Sequence, residues 1–194
     1  MRTLTNAIFG AIIDPKLATK KIINLQLSDV VIIQAALLVA ICSTILTYLF
    51  LQIIATHVVG DINASPILLD EILTYISSIQ PIYFTFNQVF QMIVFSVIIT
   101  VGGKLFNGKG TFFEALICIC LVEAVLILLK LLQFVLLPIS VMLSFLIIIP
   151  GVIWSLWAFA SLAALIHGFR STLLTFCGGC GLSILFLFSL NLFY

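Results

Sequence analysis

The chain has 194 residues, of which 63% are hydrophobic and only 8% are charged, and its formal net charge is +1. A soluble domain typically has about a quarter of its residues charged, because they form a polar skin around the core. The composition therefore excludes an ordinary soluble fold and indicates an integral membrane protein. The near-zero net charge gives no reason to expect a nucleic-acid partner.

Five segments are long and apolar enough to cross a bilayer. A spanning helix needs about 20 residues, since each rises about 1.5 Å across about 30 Å of hydrocarbon. We therefore predict an all-α polytopic bundle of five transmembrane helices in one membrane domain, residues 29–194. The predicted spans cover residues 30–56, 81–106, 112–137, 140–166 and 173–193.

The segment before the first span, residues 1–28, mixes apolar and basic side chains. Within residues 3–27, apolar residues recur at helical spacing, namely Leu4, Ile8, Ile12, Leu17 and Ile23. Asp14 followed by Pro15 is typical of an N-cap and a first-turn proline. We expect an interfacial helix on the cytoplasmic leaflet, where each base gains about 1 kcal/mol from anionic lipid.

A second interfacial helix is predicted at residues 65–80, between the first two spans. One helical face there is polar and the other is apolar, and the segment is too short and too polar to span. The polar face comprises Asp70, Glu71, Thr74, Ser77 and Ser78, and the apolar face Leu68, Ile72, Ile76 and Ile79.

The distribution of Lys and Arg predicts the orientation, because cytoplasmic loops retain these residues. The N-terminal segment holds four of the eight bases, whereas residues 60–80 hold none. Lys104 and Lys109 follow the second span, and Arg170 follows the fourth. Five alternating spans place seven of the eight bases on one side. We therefore expect a cytoplasmic N-terminus and an external C-terminus.

Four polar residues inside the predicted spans are candidate intramembrane contacts. Asn87 and Gln91 lie one turn apart in the second span, where amides most often join helices at about 0.6–2 kcal/mol each. Glu123 and Lys130, in the third span, each cost about 2.5–3.5 kcal/mol at a helix centre. The charged pair either neutralises itself, or marks a proton or ion path or a partner contact.

Helix signals and the last predicted turn complete the pattern. Thr111 with Glu114 is typical of a capping box at the start of the third span. Pro150 lies inside the fourth span and predicts a kink, because proline removes a backbone hydrogen bond. His167 and Arg170 in the turn before the fifth span, with Lys109 in the earlier turn, are candidate cytoplasmic-face contacts.

Cys177 and Cys180 have the CxxC spacing of redox and metal sites. A relay cysteine is missing from the predicted outer loop, and a zinc site needs about four ligands. We therefore expect Gly178, Gly179 and the cysteines to serve close helix packing, with no cofactor and no metal. The sequence contains no hydrolase, phosphate-loop or dinucleotide motif, so we expect no catalysis.

The order and spacing of these features resemble the Yip family, Rab-interacting five-span membrane proteins with bacterial relatives. The resemblance is carried by the Asp-Pro opening at residues 14–17, by Lys-Gly-Thr-Phe-Phe-Glu-Ala-Leu at 109–116, and by the turn at 167–171. It implies five spans, a cytoplasmic N-terminus and no catalysis. Eukaryotic members bind prenylated small GTPases in vesicle trafficking. The short segment before the first span argues against a GTPase partner here and favours a bacterial inner membrane.

We therefore expect a non-catalytic membrane protein that organises or assists partner proteins, or copies of itself, within the bilayer. One alternative is a small-molecule or ion transporter or channel, whose polar cavity would form around Asn87, Gln91, Glu123 and Lys130. Another is a membrane thiol oxidoreductase that uses the paired cysteines.

Overall fold

The computed structural model describes residues 9–60, 74, 80–179 and 181, and most of these residues are α-helical. Six helices are numbered here in chain order, and residues 9–13 and 172–179 are helical as well. The six are α1 (Pro15–Ile23), α2 (Asp29–Gly60), α3 (Pro81–Leu105), α4 (Phe112–Leu136), α5 (Val141–Leu146) and α6 (Ile148–His167).

Four candidate membrane spans are present among the described residues: α2, α3, α4, and α5 with α6 together. Their length and composition identify a multi-pass helical membrane protein. The predicted fifth span is helical over its described beginning, residues 172–179, and most of its remainder lies outside the described residues. The predicted interfacial helix at 65–80 also lies outside them, apart from Thr74 and Gln80.

Two helix starts follow their sequence signals. The Asp14 side chain accepts a hydrogen bond from Leu17 N at 3.0 Å, with Pro15 in the first turn of α1. At α4, Thr111 Oγ1 accepts from Glu114 N at 3.3 Å, and Glu114 Oε2 accepts from Thr111 N at 2.8 Å. Such caps contribute about 1 kcal/mol each. Both predicted caps are confirmed.

The fourth predicted span is broken at Ile147, between α5 and α6. Pro150 has no N–H to donate to the Leu146 carbonyl, and its ring crowds that carbonyl. The helix is thus interrupted in the turn before the proline rather than at it, and the kink itself stays a prediction.

Helix α4 is the centre of the bundle and contacts α2, α3 and α6. Half of its most apolar stretch is buried, a larger share than in any other candidate span of the described chain. The neighbouring helices present mostly small buried residues one or two turns apart. On α2 these are Ile32, Ala36, Ala40, Ser43 and Thr44, and on α3 they are Met92, Ser96, Thr100 and Gly103. Small side chains permit close approach between helices within a bilayer.

The N-terminal segment packs against the bundle with its smaller side chains. Its buried residues are Ala11, Pro15, Ala18, Thr19 and Ile22. Trp154 Nε1 of α6 donates to Ile12 O at 3.0 Å. Because Trp154 lies 13 residues before His167, this contact is on the order of 20 Å from the end of α6. The segment therefore packs against α6, and two residues of its predicted apolar face, Ile12 and Leu17, point outward.

Candidate functional site

The four intramembrane candidates separate into two sets. Asn87 and Gln91 are exposed on the side of α3 that faces away from the bundle. Glu123 and Lys130 are half-buried on α4. Because neighbouring helical positions differ by about 100°, the half-buried Gln88 faces inward where Asn87 faces outward. The arrangement required by the transporter alternative, with all four residues around one cavity, is not what the structure shows.

A group of side chains that we call the polar cluster, Ser43, Gln88, Glu123 and Lys130, joins α2, α3 and α4. Lys130 Nζ donates to Ser43 Oγ at 2.7 Å. The Ser43 and Gln88 side chains lie beside the Glu123 carboxylate. Ser43, which is only 1% exposed, is therefore next to both charged residues. Glu123 and Lys130 also attract each other electrostatically.

The polar cluster compensates charges that the surrounding bilayer cannot solvate. Removing one member of a buried pair leaves an uncompensated charge, at a cost of about 3–5 kcal/mol. Beside Ser43, the buried Thr44 Oγ1 has no hydrogen-bond partner among the described residues. Chemically, the cluster can fasten three helices together or hold a proton on either charged group.

The predicted intramembrane contacts on α3 were Asn87 and Gln91, and they did not include Gln88. The relevant signal is spacing: Gln88, Met92, Ser96 and Thr100 follow one another at four-residue intervals. This stripe holds most of the buried residues of α3. A polar residue in line with serine and threonine is a better candidate for an inward contact than its neighbours.

His167, at the end of α6, is 4% exposed and lies between α3 and the start of α4. Its Nδ1 accepts a hydrogen bond from Gly110 N at 3.1 Å. Its Nε2 lies 3.0 Å from Ile99 O, a carbonyl that can only accept. The two bonds together require the neutral ring with its proton on Nε2. The imidazole also stacks on Phe169, with ring centroids 5.5 Å apart.

Three glycines make room for this ring. A Cβ atom at Gly103, Gly108 or Gly110 would clash with the His167 imidazole. We call these residues, with His167 and Ile99, the histidine junction. His167 is thus a buried packing residue, whereas our sequence analysis treated it as a surface contact. Lys109 and Arg170, the other two candidates at this turn, are exposed.

The paired cysteines are only partly described. Cys177 is exposed on the helix at 172–179, and Cys180 lies outside the described residues. A Cβ atom added at Gly178 or Gly179 would meet no atom of the described residues within 4 Å, and the expected close packing stays a prediction. Within the described ranges, no three His, Cys, Asp or Glu side chains are grouped as a metal site.

Comparisons with protein-family models, with curated proteins and with solved structures found no match for this chain.

Proposed function

We propose that this chain is a non-catalytic membrane protein that organises or assists partner proteins within the bilayer. The observation that carries the proposal is the exposure of Asn87 and Gln91 on a candidate membrane span. Hydrocarbon offers no hydrogen bonds to a carboxamide, so such groups in a membrane are satisfied by protein. The inward Lys130 and Ser43 bond to each other, whereas the outward amides are left for a partner.

The depth of Gln91, with Asn87 one turn nearer the start of α3, supports a contact inside the bilayer. Gln91 lies about 15 Å from the start of α3 and about 20 Å from its end, at 1.5 Å per residue. Large side chains continue the same outward stripe, with Tyr83 at 76%, Phe90 at 57% and Ile98 at 48% exposed. We call Tyr83, Asn87, Phe90, Gln91 and Ile98 the amide face. It combines packing area with hydrogen-bonding groups, as helix–helix contacts in membranes do.

The same proposal includes five spans, a cytoplasmic N-terminus and a location in a bacterial inner membrane, as the resemblance to the Yip family implies. Lys104, Lys109 and Arg170 support this orientation, because all three are near the histidine junction at one end of the bundle. Cysteine-accessibility labelling of Asn63→Cys and Lys109→Cys variants is expected to report opposite sides of the membrane. Labelling of both positions from outside would contradict the five-span topology.

Photocrosslinking in native membranes tests the proposed function. A photoreactive amino acid replaces Tyr83 or Phe90 on the amide face, so that both amides are kept. The matched control replaces Leu38, which is 64% exposed on α2. We expect protein adducts from the amide face and lipid adducts from position 38. Lipid adducts alone at all three positions would contradict the proposal.

A second candidate function, passage of a proton or small ion, is favoured by the polar cluster and by the Thr44 hydroxyl beside it, which has no partner in the described part of the chain. Charged groups held inside a membrane bundle are common in proton and ion pathways. Flux into vesicles containing the purified protein, absent in a Glu123→Gln variant, is the result this function requires. Flux equal to that of protein-free vesicles would exclude it.

A further inference from the structure

We infer that the partner on the amide face is a second copy of this chain, related by a twofold axis along the membrane normal. The inference rests on the proposed function, because it identifies the partner of the surface that the proposal assigns to protein contact. It is carried by the depth, chemistry and position of Asn87 and Gln91.

Depth is the first argument. Two copies of one chain insert with the same orientation, so a twofold axis along the membrane normal places each residue at the depth of its counterpart. Asn87 then lies level with Asn87 of the second copy, and Gln91 with Gln91. A different partner would need polar side chains at both of these depths.

The chemistry of the amides is self-complementary. A carboxamide carries two N–H donors and one carbonyl acceptor, so two identical amides can bond to each other. Asn87 and Gln91 are one turn apart on one stripe, so a parallel helix pair joins both amides at once. Asparagine at a helix–helix seam is known to select register and oligomeric state.

The position of the amide face favours a contact between copies over a contact within the chain. The described beginning of the C-terminal helix lies beside α1, where Lys16 Nζ donates to Thr172 Oγ1 at 2.8 Å. Helix α1 in turn contacts α4 and α6. The amide face from Tyr83 to Ile98 is on the order of 20 Å long, enough for a helix pair across most of the bilayer.

Dimerisation of the full chain in lipid vesicles provides the test. Single-molecule photobleaching counts the copies per particle as the protein is diluted into lipid. We expect dimers, and an association constant lowered about tenfold or more in Asn87→Leu combined with Gln91→Leu. The control is Cys42→Leu, at an exposed position on α2 that carries no amide, which should leave the constant unchanged. An unchanged constant in the double variant would overturn the inference.

Crosslinking from positions 83 and 90 separates this inference from the proposed function. Covalent dimers between differently tagged copies support both. Adducts to a different protein, or to residues 61–79 or 182–194 of the same copy, overturn the second-copy inference. Adducts to a different protein leave the proposed function standing, whereas adducts to lipid alone overturn both.

Discussion

The polar cluster and the histidine junction hold neighbouring helices together by different means. In the cluster, Lys130 donates to Ser43 of α2, and Glu123 lies beside Ser43 and Gln88 of α3. In the junction, His167 bonds to backbone atoms of Gly110 and Ile99, and glycines enclose its ring. The cluster therefore depends on a balance between opposite charges. The junction depends on glycines, whose lack of a side chain leaves room for the imidazole ring. Each region should fail under substitutions that the other tolerates.

The largest expected effect is loss of charge balance in the polar cluster. Glu123→Gln leaves the Lys130 ammonium without its counter-charge, at a cost of about 3–5 kcal/mol in the free energy of unfolding. Adding Lys130→Met should recover part of this loss, because no charge then remains. Unfolding in mixed detergent micelles measures both values. Additive losses in the double variant would show that the two residues act separately.

Added volume should have the next largest effect, at the histidine junction. Gly103→Ala places a methyl group against the imidazole and should cost about 1–3 kcal/mol of unfolding free energy. Gly178→Ala is the matched control, because its Cβ would meet no atom within 4 Å. Equal thermal stability of the two variants would contradict the close fit around His167.

Acidification should weaken the histidine junction, because His167 Nδ1 accepts a hydrogen bond only while it carries no proton. A proton on Nδ1 removes the bond from Gly110 N, and an unsatisfied buried group costs about 1–3 kcal/mol. The folded state holds the neutral ring and so binds fewer protons than the unfolded state; stability should fall as the pH falls through the histidine range.

Comparing the native chain with His167→Gln at neutral and mildly acidic pH isolates this contribution. The native chain should lose more unfolding free energy on acidification than the variant does. Parallel losses in the two proteins would mean that other groups produce the pH dependence.

The smallest predicted effect concerns the N-terminal segment, whose attachment among the described residues involves neither an ion pair nor a glycine pocket. Trp154→Phe removes the donor to Ile12 O and should cost about 0.5–1.5 kcal/mol, a typical net value for one hydrogen bond. Hydrogen exchange over residues 9–23 should accelerate in this variant. Trp157→Phe, at a residue that is 47% exposed, is the control and should leave exchange unchanged.

Helix positions and caps were predictable because they depend on local sequence. The length of an apolar run determines a span, and the Thr111 and Glu114 spacing alone determines a capping box. The break at Ile147 was predictable in kind, since proline acts on the carbonyl four residues earlier. Hydropathy, however, does not tell which face of an apolar helix contacts other helices and which faces lipid, because lipid and protein interior are both apolar.

The candidate sites depend on contacts between distant segments, which explains the errors there. His167 was expected at the surface because a histidine beside an arginine in a short turn is typical of an interface. Its burial requires Gly103, Gly108 and Gly110 to come together around it, and they lie 57 or more residues away in the sequence. The inward role of Gln88 was visible only in its alignment with the small residues of α3.

Oxygen accessibility at Ile98 tests most directly whether protein covers the amide face. A nitroxide amino acid at position 98 keeps both amides, and the same label at Leu38 reports a lipid-facing site; both residues are exposed in the single chain. We predict lower accessibility to lipid-dissolved oxygen at position 98 than at position 38. The difference should disappear as the protein is diluted into lipid. Equal accessibility at both positions at every dilution would contradict the account.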